Sequence, residues 1–191
     1  MGEFTVALRI KARWHDDNAD RSLDEIASAI AFNAWRIAKD KAITLHGEDF
    51  VYDSDEQRFG VIREYLVFQL QLVDRIAHQR LGLDDSTRQE LVITTAKNMA
   101  KHLHDNSVDV FGPGDHVKNF VELINTRGAE YAEFRFSEDG PSYPFMRHLG
   151  YEIQQIMGTG GENRWVIDQV MDKDGPEVFR HLSRAVDSLF E

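Results

Sequence analysis

Three serines, each followed three residues later by a glutamate or glutamine, set where this chain can start a helix. They stand in Ser22-Leu23-Asp24-Glu25, Ser54-Asp55-Glu56-Gln57 and Ser86-Thr87-Arg88-Gln89, and each opens a segment with apolar residues at helical spacing. In such a capping box the serine oxygen accepts from the third helical N–H, and the Glu or Gln side chain reaches back to the serine N–H. The boxes recur every 32 residues, but the helices they open differ in sequence, so the spacing is not read as a repeat.

The first helix is expected from about Leu23 to Leu45, with Ile26, Ile30, Ala34 and Ile37 on one face and Gly47 as a left-handed stop. The second runs from about Asp55 to Leu81 and ends at Gly82. Its apolar residues, from Ile62 through Tyr65, Leu66, Phe68, Leu70, Leu72 and Val73 to Ile76, cover so much of the cylinder that it should be the central helix. The third spans about Thr87 to His104, and Asp105 to Gly114 reads as a connector. Asp115 should cap a fourth helix with Val117, Phe120, Val121 and Ile124 inward. A fifth runs from near Ser142–Pro144 to Gly158, and a last one begins at Asp174-Gly175-Pro176-Glu177.

Phe4, Val6, Leu8, Ile10, Ala12 and Trp14 alternate with Thr5, Ala7, Arg9, Lys11 and Arg13, the period of a half-buried strand. The best partner is Ala132-Glu133-Phe134-Arg135-Phe136, which ends in the turn residues Glu138-Asp139-Gly140-Pro141. Phe50-Val51-Tyr52 and Trp165-Val166-Ile167 are weaker strand candidates. The basic face of the N-terminal segment reads as a charged edge that discourages sheet-to-sheet pairing. The expected fold is therefore mainly α: one domain over 1–191, a bundle of five to seven helices. It holds a strand-like segment at 1–20, a three-helix core over 22–106 and further helices over 115–191. A small antiparallel β element joins the N-terminal segment to the region near residue 134. The expected core contains Ile30, Ile37, Leu66, Phe68, Val73, Ile76, Val92, Met99, Val121 and Leu182.

Composition bears mainly on what is excluded. A formal charge of −11 argues against a broad nucleic-acid footprint and against an anionic membrane surface. The absence of cysteine removes disulfides, thiolate nucleophiles, Cys-ligated zinc and iron–sulfur clusters. The longest apolar-looking run, Tyr65 to Val73, contains Gln69 and Gln71 and is too short to span a bilayer. The start, Met1-Gly2-Glu3-Phe4, lacks the basic and apolar regions of a secretory leader, so a cytoplasmic location is expected.

Two carboxylate–histidine pairs stand one turn apart on different helices, Asp74 with His78 and His148 with Glu152. Such pairs on facing helices can converge on a transition metal, with Glu64 as a further candidate ligand. The familiar di-iron pattern of two Glu-x-x-His motifs is absent. Against the metal reading, His46, His78, His102 and His104 fall in the last turns of their expected helices, where a positive ring suits the helix dipole. His148–Glu152 and Glu177–His181 read as one-turn surface pairs. Glu64, Gln71, Arg75 and His78 make a polar stripe on the second helix that reads first as its solvated face. Asn33, inside the apolar stripe of the first helix, reads as a buried register-setting amide. The glycine-rich Gly158-Thr159-Gly160-Gly161 follows a helix instead of a strand, so it reads as a connector and not a phosphate cradle.

No motif names a reaction, and catalytic residues remain unassigned. The leading expectation is a non-enzymatic interaction or homo-oligomeric helical protein, a homodimer for instance, since the second helix has apolar surface to spare for a protein partner or self-association. No cofactor is required on this reading. The alternative is a metal- or small-ligand-binding bundle using Asp74, His78, His148, Glu152 and Glu64.

Overall fold

In the computed structural model, residues 21–48 and 50–190 are described. Six long helices make up most of them: α1 Leu23–Gly47, α2 Asp55–Gln79, α3 Asp85–Phe111, α4 His116–Tyr131, α5 Tyr143–Met157 and α7 Gly175–Phe190. A two-residue hairpin, β1 Phe136–Ser137 with β2 Gly140–Pro141, lies between α4 and α5. The short helix α6, Val166–Gln169, is preceded by a 3₁₀ turn and runs through a π-helical turn, Val170–Asp174, into α7.

The helix starts show how far the serine boxes carry. At Ser22 both bonds of the box form: the Glu25 N–H donates to Oγ at 3.3 Å, and the Ser22 N–H donates to Glu25 Oε2 at 3.0 Å. Ser54 accepts from the Gln57 N–H, but Gln57 Oε1 accepts from Asp53 instead. The third box is displaced. Asp84 caps α3, its Oδ1 accepting the N–H groups of both Ser86 and Thr87 at 3.0 Å. An ionised carboxylate is the stronger acceptor, so it takes the cap from the serine two residues on.

α2 is central. It touches each of the other five long helices, and fifteen of its 25 residues are buried. All of its apolar side chains are buried. Gly82, at φ 61°, closes it by the left-handed turn that glycine adopts without strain. Gly47, by contrast, remains helical, and the N–H of Glu48 reaches back to Thr44 and Leu45.

Other expectations change as well. α3 continues to Phe111, so Asp105 to Phe111 is helix rather than connector, and His102 and His104 lie well inside it. The stop is Gly112, at φ 80°. Val117 and Val121 on α4 are 43% and 45% exposed, and only Phe120 of that set is fully buried. Ile37 and Val92 are half-buried, while the other seven expected core residues are buried. Asn33 is half-buried and donates to the Ala29 carbonyl of its own helix, so it sets no register between helices. Phe50–Tyr52 form no strand, and Trp165–Ile167 are helical. The β element pairs Phe136 with Pro141 and Ser137 with Gly140. The expected strand at residues 4–14 lies outside the described residues.

On one side of α2, a buried ionic group ties the last third of the chain to the first. Asp174, fully buried in the π-helical turn, accepts from the Tyr65 hydroxyl at 3.1 Å and lies 3.6 Å from Lys41 Nζ. Lys41 also donates to Glu177, and it is itself 5% exposed. Burial holds the Asp174 carboxyl above its ordinary range, although Lys41 and Tyr65 pull it down. A carboxylate whose folded pKa is raised contributes stability below its unfolded pKa and loses it as pH rises through the folded value. Asn at this position does not titrate. The stability of Asp174→Asn relative to wild type should therefore rise with pH from about pH 4 upward. Thermal melts across that range measure it; a constant difference, or one moving the other way, would show that Lys41 outweighs burial.

Candidate functional site

On another side of α2 the stripe Glu64, Gln71, Arg75 and His78 meets α4 instead of water. Glu64 is 2% exposed. Gln71 packs near Gly128, and Arg75 donates to the Tyr131 carbonyl at 3.3 Å. Only His78, at the helix end, is exposed. The solvated-face reading therefore fails, because α4 covers the stripe.

Arg127 of α4 organises the carboxylates that gather there. Its Nε and Nη2 donate to both oxygens of Glu64, at 2.9 to 3.2 Å. Nη1 donates to Glu130 Oε2 at 2.9 Å, and Nη2 also donates to Glu152 Oε2 of α5. The neighbouring carboxylates strengthen its hold on the proton, so it stays charged. Burial raises Glu64 above the ordinary carboxylate range despite Arg127. Three carboxylates share one guanidinium, which leaves negative charge in excess.

His148 of α5 stands between two of those carboxylates. Its Nε2 is 3.0 Å from Glu130 Oε2, and its Nδ1 is 3.9 Å from Glu152 Oε1. A neutral imidazole has one N–H and one lone pair. With the N–H given to the nearer oxygen, the Nδ1 lone pair faces a carboxylate oxygen. A bound cation relieves that repulsion. Tyr131 packs edge-on to the ring at 4.9 Å between centroids, and Phe134 lies at 5.4 Å.

Tyr131 adds an independent sign. It is fully buried, and its hydroxyl has no hydrogen-bond partner among the described residues. Burial raises the phenol well above its ordinary range, with further upward contributions from Glu64, Glu152 and Glu130. The orphaned hydroxyl therefore lies in the field of the same cluster, where an unmade hydrogen bond costs about 1–3 kcal/mol.

Of the residues singled out from sequence, the structure brings His148, Glu152 and Glu64 together. His148 and Glu152 are each 14% exposed, so they are not the surface pair that their spacing suggested. Asp74 and His78 lie elsewhere: Asp74 accepts from Arg88 of α3 at 2.8 Å, and His78 faces solvent. One ligand atom from each of Glu130, His148 and Glu152 can be chosen so that all lie within 4.8 Å of one another. Glu130, Arg127 and Tyr131 escaped the sequence reading. The only signal for them was an Arg–Glu pair three apart near the end of the fourth helix, a spacing common on surfaces. Comparison with family models, curated proteins and solved structures finds no significant match to this chain.

Because Arg127 is the only arginine or lysine bonded to these three carboxylates among the described residues, Arg127→Ala should cost about 3–5 kcal/mol, the usual penalty for stranding a buried charge. Adding Glu64→Gln should recover part of that loss. Urea denaturation of the two single variants and the double variant measures the coupling; a cost under about 1 kcal/mol for Arg127→Ala would mean the network contributes little.

Proposed function

We propose that this protein is a metal-binding helical bundle that holds one divalent transition-metal ion between His148 and Glu152, with Glu130 as the outer partner of the histidine. The observation that carries the reading is the approach of His148 Nδ1 to Glu152 Oε1, 3.9 Å apart; with the ring neutral and its N–H on Nε2, both atoms are acceptors. Two metal bonds of 2.0–2.2 Å at a tetrahedral angle span about 3.4 Å, so the pair needs to close by only about half an ångström. Glu130 fixes the ring through Nε2, as the outer partner of a metal-bound histidine does. One nitrogen and carboxylate oxygens suit zinc, manganese or ferrous iron. Glu64 and Arg127 balance the charge behind the ion, and a metal-bound water is the kind of partner the Tyr131 hydroxyl lacks.

The reading as an interaction or homo-oligomeric protein loses its motive once α2 is enclosed. Its remaining support is a set of exposed apolar residues, with Ile43 and Val110 lining one cleft.

Equilibrium dialysis of chelator-stripped protein against Zn(II), with elemental analysis, tests the metal reading. About one zinc per chain is expected for wild type. His148→Ala should weaken binding by more than the 10- to 100-fold that loss of an outer partner costs, while Asp74→Ala and His78→Ala leave it unchanged. No uptake, or uptake indifferent to His148, would overturn the reading.

A further inference from the structure

A cleft of about 230 Å³ opens where α1, α2 and α3 meet, and it shares no residue with the cluster around His148. Its floor is Trp35, Ala42, Phe59 and Ile62, all buried. Neighbouring rings hold two of these in place: His102 stacks on Trp35 at 6.3 Å between centroids, and Phe111 meets Phe59 edge-on at 5.0 Å. The lip is apolar as well, yet it stands in water, with Ile43 62% and Val110 43% exposed. Sites for drug-sized ligands occupy about 300–1,000 Å³. This cleft admits a smaller molecule, and an apolar group on it covers both floor and lip.

The polar residues of the lining divide by helix. Lys39 of α1 and Arg58 of α2 are cationic donors, whereas Asn106 and Asp109, one turn apart on α3, offer acceptors. Asn106 gives an amide N–H to the His102 carbonyl at 2.8 Å, which leaves its own oxygen to accept. Arg58 bonds Asp55 at 2.7 Å through one nitrogen and keeps further donors. Lys39 and Asp109 carry opposite charges on different walls of the cleft, and neither makes an ion pair with the described residues. They therefore do not neutralise each other across the apolar floor. A ligand with only a carboxylate meets Asp109 as a like charge, and one with only an ammonium meets Lys39 and Arg58. A ligand that carries both charges is matched on both walls.

We propose that this cleft binds a free α-amino acid with an apolar side chain. Its ammonium lies on Asp109 and Asn106, its carboxylate on Lys39 and Arg58, and its side chain against Trp35, Phe59 and Ile62. In a free amino acid the ammonium, the carboxylate and the side chain all hang from one carbon. Both charges can then stay at the lip while the apolar group reaches the floor. A peptide holds its terminal charges further apart and fits this arrangement less well.

Titration of the full-length protein with L-phenylalanine and with L-leucine, followed by ¹H–¹⁵N NMR, is the test. Two analogues that each lack one charge of phenylalanine run beside it: hydrocinnamate has no ammonium, and phenethylamine has no carboxylate. At least one of the two amino acids should shift the amides of Ile43, Ile62 and Val110. Phenylalanine should bind at least about 10-fold tighter than either analogue, since each leaves one wall unmatched. Lys39→Gln should weaken the amino acids at least about 5-fold and leave phenethylamine no weaker. Asp109→Asn should weaken them similarly and leave hydrocinnamate no weaker. Both side chains are exposed, so the variants should keep the fold. Failure of both amino acids to bind in the millimolar range would overturn the inference. So would an analogue that binds as well as phenylalanine, or an affinity indifferent to Lys39 and Asp109. Zn(II) and His148→Ala should leave the affinity unchanged, so this inference and the metal reading stand or fall separately.

Discussion

Taking an ionised carboxylate out of water costs several kcal/mol unless a cation and well-aimed hydrogen bonds replace its hydration. Glu64 sits in that position on the most enclosed helix of the bundle. The guanidinium of Arg127 supplies the cation and, with its Nε and Nη2, bonds both Glu64 oxygens. Once Arg127 is so fixed, its remaining N–H groups determine where Glu130 and Glu152 come to rest, and those two place His148. The adjacent residue, Tyr65, lies about 100° further around α2. It reaches a second buried carboxylate, Asp174, which Lys41 neutralises from α1. α2 thus meets two charge-compensated groups in different directions, through Glu64 and through Tyr65, and each ties it to segments remote in sequence.

This division of labour explains why the chain needs polar residues in so apolar a helix. Apolar packing is non-directional and tolerates rotation of one helix against another. A guanidinium shared among Glu64, Glu130 and Glu152 tolerates much less, because its donors lie in one fixed plane. The same network sets the terms on which a metal could enter. Arg127 already serves as a cation for the carboxylates, so a metal ion must compete with it for Glu152. Affinity is thereby tied to how readily Arg127 can fall back on Glu64 and Glu130.

How much of this could be read from the residues depends on whether the deciding interaction is local. The start of α1 is written in four consecutive residues, and the exhaustive apolar coverage of Ile62 to Ile76 identifies the helix that others must surround. The end of α3 was misplaced because Asn106 to Phe111 carry no stop signal until Gly112, and the start moved because Asp84 outcompetes Ser86. The polar stripe of α2 looked like a wet face, since nothing in one helix's sequence says that α4 will lie against it. The pairing of His148 with Glu152 was visible from spacing. Glu64 was a candidate too, but Arg127 and Glu130 were not, because Arg127 and Glu64 are 63 residues apart, and only the folded chain brings them together. Asp74 carried the same spacing signal as His148, yet Arg88 takes it. One-turn spacing finds candidate pairs and cannot choose between them.

The central claim is that the cluster around His148 is a cation site, not merely an ion-paired seam between α4 and α5. Crystals grown with Zn(II), with anomalous diffraction measured on both sides of the zinc edge, address it directly. The account predicts a single strong anomalous peak about 2.0–2.2 Å from His148 Nδ1 and from a Glu152 oxygen, with Glu130 still bonded to Nε2. No peak at this position, with Arg127 still joined to Glu64, Glu130 and Glu152 and zinc only at exposed histidines such as His78, would contradict it.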